Sequence, residues 1–274
     1  MLSKQIVNFI KVKCLKESMV NVREILVELQ KSGKREPNFW LLQLKQHHNI
    51  KLKNVQELLK SKKKAIKVFI GHGFLRGRQD ELSTIYCDCF YEAFDDIIND
   101  LDITKELILS SIEKIVNRYR EKVGSIPYKV NENDVKMIKS CLEFVAVHLN
   151  PIEYIVGRIK NGELRDVYDE LTKIKYWGPK LSSMMLRDIV IDFKLEEYLK
   201  PEDYALLFPI DVHVKKFIQI LYPETKKMGY KEAMEYCANK VKENGFSPLY
   251  VNIGMWLVHT KAGKLIEYLL DSLK

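Results

Sequence analysis

Two positions carry reactive groups in settings that could make them work. Lys180 directly follows Gly178-Pro179, and Asp211 follows Pro209-Ile210 thirty-one positions later. A lysine amine attacks only when neutral. At the first turn of a helix, unpaired N–H groups concentrate partial positive charge, which disfavours the ammonium form. A carboxylate can move a proton or stabilise positive charge that develops on a substrate. The chemistry implied is covalent attack by an amine with carboxylate assistance. Each residue alone also has a plainer explanation: a helix-start lysine is commonly just solvated, and an aspartate after a proline commonly caps a helix.

The elements around them narrow the choice. From Glu163 to Val190 the apolar residues Leu164, Val167, Tyr168, Leu171 and Ile174 recur at helical spacing, a break follows at Lys175-Tyr176-Trp177-Gly178-Pro179, and a second helix opens at Lys180. This is the pattern of a helix-hairpin-helix. Proline suits a first helical turn and Gly178 permits the reversal before it, so the backbone N–H groups over Lys175, Tyr176, Trp177 and Gly178 are expected to grip a phosphate. In Phe208-Pro209-Ile210-Asp211-Val212-His213-Val214, Pro209 breaks the chain and Asp211 is expected to cap a helix running to about Tyr222. His213, Lys215 and Lys216 follow closely enough to contact phosphates.

The hairpin-borne Gly-Pro-Lys and the following Pro-Ile-Asp-Val-His-Val together resemble the helix-hairpin-helix, Gly/Pro-rich loop, Asp (HhH-GPD) superfamily of DNA glycosylases. The match runs over about residues 163–222, and the long Lys-to-Asp interval is similar to that of the archaeal 8-oxoguanine (GO) DNA glycosylases. The resemblance implies a bifunctional glycosylase/AP lyase that excises an oxidised purine, 8-oxoguanine foremost. Lys180 would attack the sugar C1′ of a flipped nucleotide, displace the base and form a Schiff base, and β-elimination would then nick the strand. Asp211 would assist. Met184, one turn beyond Lys180, and Trp256 would line the base pocket, though Met and Trp at helical spacing are also ordinary core residues. Tyr176 stands where the family's hairpin carries a glycine. The four C-terminal cysteines of the endonuclease III branch are missing, so no iron–sulfur cluster and no other cofactor are expected. A monofunctional glycosylase and a non-catalytic helix-hairpin-helix DNA-binding protein remain alternatives.

Composition agrees with these expectations without compelling them. The 274 residues are 46% hydrophobic and carry a formal charge of +8, which suits a polyanionic partner such as double-stranded DNA bearing a damaged base. Five scattered cysteines fit a reducing compartment, and the expectation is a cytoplasmic, nucleoid-associated monomer with no leader peptide and no membrane span. Strict two-residue alternation is hard to find, so the fold is expected to be all-α, about a dozen helices. Ser32-Gly33-Lys34, Gly71-His72-Gly73, Gly124-Ser125-Ile126-Pro127 and Asn150-Pro151 read as turns between them. The Lys60-Ser61-Lys62-Lys63-Lys64 run is either a phosphate track or a solvated helix face. Cys87-Asp88-Cys89 and His47-His48 lack the partners a metal needs. The resemblance further implies two helical lobes flanking a DNA-binding cleft, one from residues 1–65 with 201–274, the other from 66–200 carrying the hairpin at about 163–193.

Overall fold

The computed structural model describes residues 22–34, 40, 44, 52–75, 80–98 and 102–257. Among them every regular element is helical, and no described helix is long and apolar enough to cross a membrane. His47 and His48 lie outside the described residues. The chain divides into two units, 1–37 with 200–274 and 38–199. The first boundary falls at residue 37 and not 65, because the helices just before residue 65 pack into the larger unit.

In that larger unit, α1 (Glu57–Lys60) and α2 (Lys62–His72) lead into α3 (Asp80–Ile97), α4 (Lys105–Gly124), α5 (Glu132–His148), α6 (Pro151–Lys160), α7 (Leu164–Lys173) and α8 (Gly178–Asp192). Side-chain caps set several starts. Ser61 Oγ accepts from the Lys64 N–H at 3.3 Å, Thr104 Oγ1 from that of Leu107 at 3.2 Å, and Asn150 Oδ1 from that of Glu153 at 3.0 Å, with Pro151 in the first turn. Helix α2 runs through the middle, flanked by α1, α3, α5 and α6, and buries Ala65, Ile66, Val68, Phe69, Ile70, Gly71 and His72. Gly71-His72 is therefore helix, and the turn begins only at Gly73: neighbours on several sides supply enough contact to override the low helix preference of Gly71. The basic run is held within the unit. Lys62 Nζ donates to the Ile103 carbonyl at 3.1 Å, Lys63 pairs with Asp95 at 3.2 Å and Lys64 with Glu57 at 2.7 Å. Cys87 and Cys89 are buried and in no disulfide, and burial pushes the Cys87 thiol far up and that of Cys89 to about 11.

The smaller unit contains α9 (Val22–Lys34), α10 (Asp203–Leu206), α11 (Val212–Leu221), α12 (Tyr230–Glu243) and a helical stretch over 248–257. Leu26, Leu29, Phe208, Ile218, Cys237, Val241, Val251 and Met255 form its core. Here Ser32-Gly33-Lys34 is the last turn of a helix and not a connection. A Cβ on Gly33 would lie 2.0 Å from the Tyr250 carbonyl oxygen, and one on Gly254 would lie 2.1 Å from that of Leu29. The two backbones touch, so glycine is required at both crossings for space. Gln30 Oε1 adds to the contact by accepting the Ser247 N–H at 2.6 Å.

Gly254→Ala is expected to cost about 2–3 kcal/mol, because the obstructing atoms are backbone and cannot rotate away. Gly157→Ala, whose Cβ would meet nothing within 4 Å, should stabilise its helix by about 0.5–1 kcal/mol. Urea midpoints of the two variants check both signs.

Candidate functional site

Helix α7 turns Leu164, Val167, Tyr168 and Leu171 inward, and four residues, 174–177, separate its end from the start of α8. Between them the Trp177 N–H donates to the Ile174 carbonyl at 3.1 Å and the Lys175 N–H to Ser140 Oγ at 3.1 Å. Tyr176 has φ +67° and Gly178 φ +63°, both left-handed. The tyrosine thus adopts the backbone that a glycine would take freely, at a cost of roughly 1–2 kcal/mol. What holds it there is Trp177, only 3% exposed, with its ring 4.7 Å from Phe69 and 5.5 Å from His72. The turn's exposed side chains are Lys175 and Tyr176; Gly178 is half-buried and Trp177 is core.

Lys180 is the third residue of α8, which starts at Gly178, two residues before the expected opening. From Leu181 to Ile191 every side chain but that of Met184 is buried. Lys180 and Met184, one turn apart, are therefore the partly open positions of an otherwise enclosed helix. Lys180 Nζ donates to the Leu75 carbonyl at 3.4 Å. The His72 Nε2–H donates to the carbonyl of Leu181 at 2.9 Å. Burial lowers the His72 pKa to about 4, with the positive charges of Lys180 and Arg187 adding to the effect, so the ring is neutral across the physiological range. Two turns past Lys180, Arg187 Nη2 meets Asp188 Oδ1 at 2.6 Å, both side chains buried. Desolvation raises the Asp188 pKa even against the pull of Arg187.

Asp211 caps α11, as its position after Pro209 suggests. Its Oδ1 accepts the Val214 N–H at 2.7 Å and its carbonyl that of Lys215 at 2.8 Å. The preceding loop is fastened on both sides: the Ile210 N–H donates to Tyr230 Oη at 3.1 Å, and the buried Asn252 amide donates to the Pro209 carbonyl at 3.0 Å. Lys215 is exposed, Trp256 is half-buried, and the side chain of His213 lies outside the described residues. Lys175, Tyr176, Trp177, Gly178, Lys180 and Met184 belong to the larger unit, Asp211, Lys215 and Trp256 to the smaller. Among the described residues no three His, Cys, Asp or Glu side chains gather in a way that could hold a metal.

Sequence reasoning overlooked His72, Arg187, Tyr230 and Asn252. For Arg187-Asp188 and Asn252 a signal existed: polar residues inside the apolar runs Met184-Met185-Leu186 to Ile189-Val190-Ile191 and Val251 to Ile253 must find partners when buried. No comparable signal marks His72 or Tyr230.

Against known proteins, no family model and no solved structure matches the chain. It is 28% identical over 149 residues to an uncharacterized protein of Methanocaldococcus jannaschii, MJECL21. The alignment covers 41% of this chain and 34% of that protein, so the chain spans about a third of its relative's length.

Replacing Tyr176 by glycine removes the left-handed strain but adds backbone freedom to the unfolded chain, so a net gain of up to about 1 kcal/mol is expected, read as a rise in Tm. His72 generates a pH dependence. Its folded pKa of about 4 lies below the ordinary 6.5, so the unfolded chain takes up a proton first as pH falls, and stability is lost between pH 6.5 and 4. His72→Gln should abolish that component. Urea unfolding at pH 6.5 and 4.5 should show the wild type losing more stability than the variant, approaching about 3 kcal/mol at the lower limit of the window.

Proposed function

We propose that the protein is a DNA glycosylase with AP-lyase activity that removes an oxidised purine, 8-oxoguanine foremost, from duplex DNA. The observation that carries this reading is the opening of α8: an enclosed helix, entered through a turn left-handed at the family's glycine position, that leaves Lys180 and Met184 partly open. The turn between α7 and α8 then acts as a helix-hairpin-helix through the exposed Lys175 side chain, because the Lys175 and Trp177 N–H groups expected to grip a phosphate already donate to Ser140 Oγ and the Ile174 carbonyl, and Lys215 contributes a further phosphate contact. The formal charge of +8 supports a polyanionic partner.

In this mechanism the nucleotide is first flipped, because stacking hides C1′. The lone pair of the neutral Lys180 amine forms the N–C1′ bond, and the C1′–base bond breaks with its electron pair leaving on the base, which takes up a proton. Ring opening gives the imine. Loss of a proton from C2′ then expels the 3′ phosphate oxygen, nicking the strand, and hydrolysis frees the lysine. Asp211 moves protons and stabilises the positive charge on the sugar. Met184 and Trp256 stack on the expelled base.

Incubation with an 8-oxoguanine duplex and borohydride should trap a protein–DNA adduct, and Lys180→Ala should form none. Asp211→Asn should slow base release on the order of 100-fold or more. An adduct that survives in Lys180→Ala moves the nucleophile elsewhere; abasic product without nicks identifies a monofunctional enzyme, and binding without any product identifies a DNA-binding module.

A further inference from the structure

The end of α2 and the start of α8 are joined at two points. His72, the last residue of α2, reaches the Leu181 carbonyl, and Lys180 reaches the carbonyl of Leu75, three residues past His72. The bonds run in opposite directions between neighbouring residues. A carbonyl only accepts, so the bond to Leu181 requires the proton on Nε2 of the neutral ring and settles the tautomer. The same ring lies 5.5 Å from that of Trp177, the residue before Gly178. His72 thus touches the chain on both sides of Gly178-Pro179-Lys180. Its neighbour Gly73 makes this possible, since a Cβ there would meet the indole Nε1 at 2.8 Å.

We infer that His72 is a positioning residue for Lys180: by binding the Leu181 carbonyl and backing Trp177, it fixes the first turn of α8 against the end of α2, so that the Lys180 amine is held at the Leu75 carbonyl. The inference rests on Lys180 being the nucleophile. The charged groups acting on His72 are Lys180 and Arg187, the latter paired with Asp188. The ring commits its Nε2 proton to the Leu181 carbonyl. Its contribution is geometric, and a displacement of about 1 Å at a reacting atom can cost on the order of 100-fold in rate.

Single-turnover borohydride trapping on an abasic duplex tests this with the full chain. His72→Phe keeps the ring volume without the N–H and should lower the trapping rate roughly 10- to 100-fold, while DNA affinity by fluorescence anisotropy stays within about twofold. His72→Gln, whose amide can donate to the Leu181 carbonyl, should recover most of the rate with the wild-type pH profile. A His72→Phe variant that traps at the wild-type rate overturns the inference, as does a His72→Gln variant as slow as His72→Phe. Nitrogen NMR of the wild-type imidazole gives a readout independent of either variant's folding: a fixed Nε2–H tautomer that does not titrate from pH 8 to 5.5 is expected, and the other tautomer or a titration in that range overturns it. A wild type that traps nothing while holding the tautomer fixed refutes the nucleophile assignment and leaves the tie itself standing.

Discussion

The burial of Trp177 governs the path of the chain on both sides of it. An indole buries on the order of 200 Å², and here it does so between two residues held in the left-handed region, next to Phe69 and His72. Its Nε1 has no hydrogen-bond partner, a loss of about 1–3 kcal/mol that the apolar contact outweighs at roughly 25 cal/mol per Å². Withdraw that ring and the turn loses the apolar anchor beside its left-handed Tyr176. The start of α8, the direction of Lys180 and the two ties to the end of α2 all follow from where the indole sits.

Helix α8 is an unusual carrier for the side chain proposed as nucleophile. Ser182, Ser183, Arg187 and Asp188 are all buried on it, and such groups are costly to bury without partners. The Arg187–Asp188 contact satisfies one end of that requirement, while Ser182 Oγ donates back to the Gly178 carbonyl at 3.0 Å. A buried ion pair adds little net stability compared with an apolar pair, but removing one partner strands the other charge. The helix is thereby intolerant of small displacements, which is the property that the support of the proposed nucleophile would require.

Much of this was legible in the sequence, for identifiable reasons. The helical period of Leu164 to Ile174, the Gly178-Pro179 start and the Asp211 cap are local signals, and each appears within two residues of its expected place. Ser32-Gly33-Lys34 misled because the glycine read as a break is one demanded by a crossing partner far away in sequence, and Gly71-His72-Gly73 because its first two residues belong to a helix packed on several sides. The lysine run was ambiguous for the same reason: only the fold reveals Asp95 and the Ile103 carbonyl beside it. His72 is the clearest case of what local reading misses, since its meaning depends on a carbonyl 109 residues further along.

The touching backbones at Gly33 and Gly254 carry an implication for how the molecule comes into being. Gln30 and Ser247, bonded beside that crossing, are 217 residues apart, whereas the unit bearing Lys180 is one continuous stretch, 38–199. A chain emerging from the ribosome can complete that stretch while the helix Val22–Lys34 still has no counterpart, because contacts so distant in sequence form late. Synthesis therefore imposes an order: the part bearing the lysine matures first, and the part bearing the aspartate waits for the helical stretch over 248–257 to be made.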